Sequence, residues 1–266
     1  MKKALLLFAL SYICMYSNAQ NDSTTEKILK EVVLSANKWG QLLNEVPNKI
    51  VKINKSEIIL NNPQTTADLL GQSGQVFIQK SQLGGGSPMI RGFATNRVLL
   101  VVDGIRMNNA IYRSGNLQNV ISIDPLSLET AEVIFGPGSL VYGSDAIGGV
   151  MDFHTLEPKL SSNDKMLVKG SVLGRYSTAN KEKTGHIDLN LGWKKFSILT
   201  SFSHSDFDDL KMGKNGGQDS YLRPEYVERI NNADVITPNS DPRVQKFSGY
   251  DQLNFLQKVR FKPNEH

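Results

Sequence analysis

The feature that most constrains the fold is a strict alternation of apolar and other residues around residue 190. Residues 185–193 place Ile187, Leu189, Leu191 and Trp193 on one face and His186, Asp188, Asn190 and Gly192 on the other. A period of two residues is that of a β-strand with one apolar and one polar face. Residues 166–176, 196–203 and 251–261 repeat the pattern. The sequence therefore predicts about four antiparallel strands of this kind.

Connection lengths help to decide what these strands build, because alternation alone fits both a soluble β-sandwich and a transmembrane β-barrel. Residues 193–196 form a tight turn flanked by Trp193 and Phe196, whereas residues 206–248 form a connection of 43 residues. Short turns at one end and long loops at the other are typical of an outer-membrane barrel. We therefore interpret residues 158–266 as a partial β-barrel with a long loop at 206–248, and we expect Tyr176 and Tyr250 in its outer aromatic girdle.

The number of strands is too small for a closed barrel. Residues 161–266 without the long loop leave room for about six spans, and the smallest barrels need about eight. The sequence thus predicts a truncated barrel and an N-terminal part of a longer protein.

The first 19 residues have the pattern of a secretory signal peptide. Lys2 and Lys3 precede an apolar run over residues 4–16, and Ser17-Asn18-Ala19 supplies small residues at the cleavage positions. The run is shorter than the roughly 20 residues of a transmembrane helix. A buried N-terminal helix is the alternative. Residues 20–30 are polar and unpatterned, which predicts a flexible leader.

Composition excludes several classes of function. The net charge is +4, Lys2 and Lys3 supply two of these charges, and no basic block is present, so a nucleic-acid partner is not expected. The single cysteine, Cys14, lies in the signal peptide and permits no disulfide. The histidines are scattered, and the glycine-rich segments complete no phosphate-binding motif. We expect no enzyme, no metal and no cofactor.

Residues 38–157 have a different texture. Short β-rich runs are bounded by Gly, Pro or Asn, which predicts strands and loops. A Thr-x-x-Asp cap predicts one helix over Thr65–Leu70, ending at Gly71, and a short turn is expected over Asp124–Leu128. Together these elements predict an α+β domain with short helices.

Three segments of this region, in this order, carry the most specific signal. They are PMIRGF at 88–93, VLLVVDGIR at 98–106 and EVIFGPGSLVYGSDAIGGV at 132–150. Their order and spacing closely resemble the plug domain of TonB-dependent outer-membrane receptors, over roughly residues 31–160. The matching positions are Arg91, Gly92, Asp103, Gly104, Glu132, Gly136, Pro137, Tyr142, Gly143, Gly148 and Gly149. The resemblance implies an α+β plug domain with a small mixed sheet, followed by the first antiparallel strands of a transmembrane β-barrel. It also implies contact with outer-membrane lipid and localisation to the cell outer membrane.

Parts of this motif have a physical explanation. Asp103-Gly104 is a hairpin signal between two β-rich runs, and the glycines permit tight loops. Arg91 and Glu132 are candidates for ionic contacts that hold a removable plug, with solvated surface charges as the alternative. Phe135 departs from the family, which usually has Arg or Lys there.

Residues 31–37 resemble the TonB box of this family, with Glu31, Val32, Val33, Leu34, Ser35 and Ala36 as its core. Such a segment can add as a strand to the TonB energy-coupling protein. The alternative is that the same segment is simply the first strand of the plug.

The resemblance implies energised uptake of a scarce, large nutrient. Residues 111–119 and 205–213 resemble the haem branch of the family, so haem or an iron-siderophore is the favoured ligand. The ligand candidates are Tyr112, Arg113 and Asn116. The alternative function is a secreted or periplasmic β-rich binding protein without transport activity.

Overall fold

The structure is a computed structural model that describes residues 32–33, 40–80, 83–94, 97–107, 119–215 and 221–263. All of them belong to one compact unit, Val32–His266. The N-terminal strands are β1 (Val32–Val33), β2 (Gln41–Leu42), β3 (Ile50–Asn54), β4 (Phe77–Gln79), β5 (Ser87–Ile90), β6 (Phe93–Ala94), β7 (Val98–Val102), β8 (Ile105–Arg106), β9 (Leu128–Phe135) and β10 (Gly149–Thr155). The helices are α1 (Lys55–Asn61), α2 (Thr66–Gln72) and α3 (Ser139–Tyr142), with 3₁₀ turns at Leu43–Glu45, Asn119–Ser122 and Pro125–Ser127. The C-terminal strands are β11 (Leu167–Ser177), β12 (Glu182–Gly192), β13 (Phe196–Phe207), β14 (Leu210–Lys211), β15 (Glu225–Ile230), β16 (Ala233–Pro238), β17 (Val244–Gln245) and β18 (Tyr250–Phe261).

The N-terminal domain, called the plug below and comprising the described residues of 40–157, is built on a five-stranded sheet. The strand order is β3-β9-β10-β7-β8, with β10 parallel to β7 and the other pairs antiparallel. Because side chains alternate across a strand, the sheet buries two apolar layers. One layer includes Leu100, Met151 and Phe153 and packs on α1 and α2, and the other includes Leu99 and Val150. The predicted small mixed sheet is therefore confirmed.

Local sequence determines the position of one plug helix, α2, but not of another, α1. Helix α2 forms where the cap predicts it, because the Asp68 amide donates to Thr65 Oγ1 over 3.2 Å. It runs through Gly71 to Gln72, so the predicted end is one or two residues too early. Helix α1 was not predicted. Only Ile58 is buried in α1, whereas Ile59 and Leu60 are exposed, so its apolar residues show no one-sided period. None of the described helices is long and apolar enough to cross a membrane.

The C-terminal strands β11, β12, β13 and β18 form one antiparallel sheet in that order, called the wall below. Its polar face is covered, with His186 only 5% exposed, whereas Ile187 is 50% exposed and Val172 79% exposed. A soluble sandwich would bury the apolar face instead. The sandwich interpretation is therefore wrong, and the barrel-type wall that alternation and loop lengths predicted is confirmed. The tight turn is also present, since the Trp193 amide donates to the Phe196 carbonyl over 2.7 Å.

Two further predictions differ from the structure. The long connection between β13 and β18 is folded: β15 and β16 form a hairpin, and β14 pairs with β17. Tyr250 does not belong to an outer girdle. Its ring stacks on that of the buried Phe207, with centroids 4.7 Å apart, and packs against Gly84 of the plug. Tyr176 is exposed on the outer face, as expected for a girdle residue.

Candidate functional site

The surface between the plug and the polar face of the wall is the candidate functional site. It is held by three groups of contacts, which we call the upper, middle and lower contacts. The upper contacts centre on Arg175 of β11, which forms an ion pair of 2.6 Å with the fully buried Glu182 of β12. The Arg175 guanidinium also donates to Asn62 Oδ1 and to the Pro63 carbonyl of the plug, both over 2.9 Å. Gln64 Nε2 donates to the other Glu182 oxygen over 2.5 Å. Polar groups of the plug thus supply further hydrogen bonds to a buried ion pair of the wall.

The middle contacts join a plug turn to the wall through Asp124. The Ser203 hydroxyl donates to Asp124 Oδ2 over 2.6 Å, and Asp124 Oδ1 accepts from the Leu126 amide at the start of the 3₁₀ turn. His186 Nδ1 lies 2.6 Å from Ser203 Oγ, and His186 Nε2 lies 3.4 Å from Asp188 Oδ2. Asp, His and Ser also form hydrolase triads, but here the buried serine hydroxyl is committed to a second carboxylate, which suits a structural link.

The lower contacts are made by the hairpin turn Asp103-Gly104. Both residues have positive φ, 48° and 81°, and they connect β7 to β8, so the predicted hairpin is confirmed. The Asp103 carboxylate accepts from the Thr155 amide over 2.9 Å and from Thr155 Oγ1 over 2.6 Å. It also forms an ion pair of 2.9 Å with Lys258 of β18. Burial alone would raise the pKa of Asp103, but hydrogen bonds from Thr155 and Lys258 outweigh burial and hold that pKa below its ordinary value.

A cluster of acidic and phenolic groups lies inside the plug sheet. Glu132 is 1% exposed and pairs in register with Asp152, so it lies within the sheet, and the alternative of a solvated surface charge is wrong for Glu132. The Tyr142 hydroxyl donates to Asp152 Oδ2 over 3.1 Å. Burial raises the pKa of Asp152 to about 6, although His154 and Tyr142 oppose the shift. Burial and the nearby Asp152 raise the pKa of Tyr142 as well.

Arg91 also differs from its expected ionic role. Its guanidinium is exposed and lies 5.7 Å from the centroid of the Phe135 ring, and the Lys49 ammonium lies 5.3 Å from the same centroid. Within the described residues, the contact recorded for Arg91 is thus with an aromatic ring and not with a carboxylate. Phe135, the departure from the family pattern, fits this position because a ring face attracts cations.

Two described residues of the TonB-box-like segment are docked on the plug. Val32 and Val33 form β1, which pairs with Leu42 and Gln41 of β2. The Val33 side chain is fully buried in the second apolar layer, the one that contains Tyr142, and the Lys52 ammonium donates to the Val32 carbonyl. Glu31, Leu34, Ser35 and Ala36 lie outside the described residues.

Close packing explains two glycines of the motif, Gly148 and Gly149. A Cβ on Gly148 would lie 2.3 Å from the Phe93 Cβ, and one on Gly149 would lie 2.6 Å from the Ile134 carbonyl oxygen. Close packing of β10 against its neighbours therefore requires glycine at both positions. The remaining motif residues, Gly92, Gly136, Pro137 and Gly143, lie in or beside turns of the plug.

The ligand candidates Tyr112, Arg113 and Asn116 lie outside the described residues. Sequence reasoning missed Lys258, Asp124, Ser203 and Asp152 as site residues. The sequence does carry a signal for Lys258 and Ser203, since alternation in β18 and β13 places both residues on the polar face. No such signal marks Asp152, a carboxylate within an apolar strand.

An α+β domain seated by polar contacts on a wall whose other face is apolar and exposed defines a plugged outer-membrane β-barrel protein. Residues 43–150 match the family model described as TonB-dependent Receptor Plug Domain. The chain belongs to the TonB-dependent receptor family. The expected localisation to the cell outer membrane is thereby confirmed.

Curated relatives include the vitamin B12 transporter BtuB of Vibrio vulnificus, which is 37% identical over 245 residues, or 87% of this chain and 38% of the relative. The vitamin B12 transporter BtuB of Photobacterium profundum is 28% identical over 204 residues, 75% of this chain and 32% of the relative. The chain thus spans about a third of the length of these relatives.

Solved structures share the fold. The copper transporter OprC has a TM-score of 0.58 at 16% identity, covering 81% of this chain and 29% of that protein. The FrpB iron transporter from Neisseria meningitidis has a TM-score of 0.56 at 17% identity, covering 79% of this chain and 29% of that protein.

Proposed function

We propose that the full-length receptor imports a scarce, large nutrient across the outer membrane, driven by the TonB energy-coupling protein. The observation that carries this proposal is the nature of the plug–wall surface. Its three groups of contacts are hydrogen bonds and ion pairs, for example Ser203 to Asp124 and Lys258 to Asp103. The partly exposed Lys258–Asp103 pair is weak, since an exposed ion pair typically contributes about 0 to 1 kcal/mol. The upper and middle contacts are buried but polar, so water can replace them when the plug moves. A plug held by polar contacts can thus be displaced and can return.

Residues 31–36 are proposed as the segment on which TonB pulls. In the resting structure β1 pairs with only two residues of β2, so a short ladder has to be replaced. An extended segment can form a longer ladder by adding to a sheet edge of its partner. The alternative interpretation, a first strand of the plug, describes the docked arrangement. Both roles are compatible if the strand is released on coupling.

The nutrient is proposed to be a metal chelate, with a corrinoid as the first candidate. Two relatives are named vitamin B12 transporters, and one of them is 37% identical over most of this chain. Haem and iron-siderophores remain candidates because residues 111–119 and 205–213 resemble the haem branch. In that case Tyr112, Arg113 and Asn116 are the proposed ligand contacts, and a tyrosine phenolate can bind haem iron.

A binding and uptake experiment tests these proposals. The purified full-length receptor is titrated separately with cyanocobalamin, haemin and a ferric siderophore, and uptake of each is compared in cells with and without TonB. We expect one compound to bind and its uptake to require TonB. If haemin shows no Soret shift with the receptor, and the cells show no haem-dependent growth, haem is excluded as the nutrient. A protein released from cells without detergent would instead support the secreted or periplasmic binding protein.

A further inference from the structure

A groove on the exposed apolar face of the wall takes part in none of the contacts with the plug. It has a volume of about 690 Å³ and lies across β11, β12 and β13. Its floor is the backbone of Gly174 and Gly185, which pair in register. The side chains that line it on the exposed face are Val172, Tyr176, Lys183, Ile187, Phe202 and His204. The groove therefore opens toward the membrane.

The packing of the described residues does not require glycine at positions 174 and 185. A Cβ at either position would meet no heavy atom beyond its chain neighbours within 4 Å, and neither residue has a positive φ. At Gly170 of the same strand, by contrast, a Cβ would lie 2.6 Å from the Asp188 carbonyl oxygen. The register of β11 and β12 is continuous, so no bulge explains the two glycines. Glycine weakens a strand, and within one it commonly marks a place where a ligand approaches the backbone.

A charged row borders the groove at the end away from the tight turn. Lys183 of β12 is in register with Asp206 of β13, and Lys183 Nζ lies 3.9 Å from Asp206 Oδ2. Asp206 is in turn in register with Asp251 of β18, and like charges opposite each other destabilise a sheet. All three side chains are exposed. The row thus offers one ammonium and two carboxylates to a molecule outside the wall.

We propose that this groove binds one lipid of the outer leaflet, with an acyl chain over Gly174 and Gly185 and a phosphoethanolamine headgroup at the charged row. The phosphate binds the Lys183 ammonium, and the lipid ammonium lies at Asp206 and Asp251, where it separates the two like charges. The exposed Lys183–Asp206 pair is weak, so the lipid replaces it at little cost. A headgroup with a phosphate alone would meet a row of net negative charge. This site concerns the outer surface of the receptor and is independent of the nutrient and of TonB.

Lipid binding to the purified full-length receptor tests the acyl-chain groove. The receptor in detergent is titrated with phosphatidylethanolamine, and native mass spectrometry measures the affinity for the first lipid bound. Gly174→Val and Gly185→Val fill the groove without a clash, since a Cβ at either position has open space. Each variant displaces about two methylene groups of the lipid, so the affinity should fall about tenfold. The control Gln257→Leu adds apolar volume on the exposed face outside the groove and should leave the affinity unchanged.

A second set of titrations tests the headgroup. The wild type should bind phosphatidylethanolamine about fivefold more tightly than phosphatidylglycerol, which carries a phosphate but no ammonium. Asp251→Asn should remove most of this preference, whereas Lys183→Gln should weaken the binding of both lipids. Soluble phosphoethanolamine, which has no acyl chain, should not displace the bound lipid at equal concentration.

The proposal is overturned if both glycine variants bind phosphatidylethanolamine as tightly as the wild type, or if Gln257→Leu weakens binding as much as they do. Equal affinity of the wild type for the two lipids would also overturn it. Heat-modifiable mobility verifies that each variant is folded. A failure of the lipid site leaves uptake by the unmodified receptor intact, whereas a failure of the proposed function would show as absent uptake, whatever the lipid affinities are.

Discussion

Asp152 is a carboxylate placed where a strand of the plug is otherwise apolar. It lies between Met151 and Phe153 of β10, both fully buried, and one of its oxygens has no hydrogen-bond partner within the described residues. Removing an ionised carboxylate from water is costly, so the group shifts toward its protonated form. The raised pKa of Asp152, about 6, is the direct result.

This residue gives the plug a defined pH dependence. The folded pKa of about 6 exceeds the ordinary value of 3.8, so between these values the folded plug binds more protons than the unfolded chain. Stability therefore falls as the pH rises from about 4 to about 6.

Asp152→Asn carries no charge, so above pH 6 it should be more stable than the wild type by about 1–3 kcal/mol. Urea denaturation of residues 31–157 at several pH values measures this difference. Asp145→Asn, at a more exposed position, is the control, and parallel pH profiles for wild type and Asp152→Asn would contradict the prediction.

Substitutions of Phe135 test how the plug accommodates a residue that departs from the family pattern. Its ring is 6% exposed and lies beneath the Lys49 and Arg91 cations. Phe135→Arg restores the residue type that the family usually has, but buries a third positive charge there, which should cost about 3 kcal/mol. Phe135→Leu loses only the ring, which should cost about 1 kcal/mol. Denaturation of the plug compares the two variants, and an arginine variant as stable as the leucine variant would show that the site accommodates the family's usual cation.

Motif residues could be located from the sequence, but their partners could not. The Asp103-Gly104 turn was predictable because turn chemistry depends on adjacent residues. Glu132 and Arg91 were recognised as important, yet the carboxylate lies inside the sheet and the guanidinium lies over a ring. Their contacts join segments distant in the chain, and residue type alone does not encode which segments meet.

Among the elements, β1 connects packing to the proposed coupling. Its backbone forms a two-residue ladder with β2, and Val33 fills a space in the second apolar layer of the plug. Releasing this strand has a packing cost as well as a hydrogen-bond cost. In the proposed coupling, docking holds the segment until TonB provides a longer ladder.

Substitutions at Val33 separate these two costs. Val33→Pro removes the backbone N–H, so strand addition to TonB should fail, and nutrient uptake should fall to the level seen without TonB while surface binding persists. Val33→Ala keeps the N–H and loses packing worth about 2 kcal/mol, so uptake should continue. Asp22→Lys in the leader should have little effect. Normal uptake by the Val33→Pro receptor would show that residues 31–36 are not the TonB box.

Elements were predictable where the signal was local. Helix α2 follows from its Thr65-to-Asp68 cap, whereas α1 exposes Ile59 and Leu60 and therefore shows no helical period. The β15–β16 hairpin was missed for a related reason. Both of its strands are largely exposed, so neither has the one-sided burial that produces alternation.

At the scale of the whole molecule, the two parts bury opposite kinds of surface. The plug buries apolar layers on both faces of its sheet, while the wall buries its polar face and exposes its apolar one. The alternation in residues 185–193 revealed the two faces of the wall. Which face is covered followed only from loop lengths and from the resemblance, because alternation is symmetric between a sandwich and a barrel.

This difference predicts opposite solution behaviour for the two parts. Residues 31–157 should be soluble and monomeric, because their apolar side chains largely pack against one another. Residues 20–266 should aggregate in the absence of detergent, because the wall exposes Val172, Leu253 and Phe255 on one face, and β11 and β18 lie at the two ends of its sheet. Size-exclusion chromatography with light scattering distinguishes these outcomes, and added detergent should disperse the longer protein but leave the plug unchanged. A soluble, monomeric protein over residues 20–266 would contradict the assignment of the wall's apolar face to the membrane.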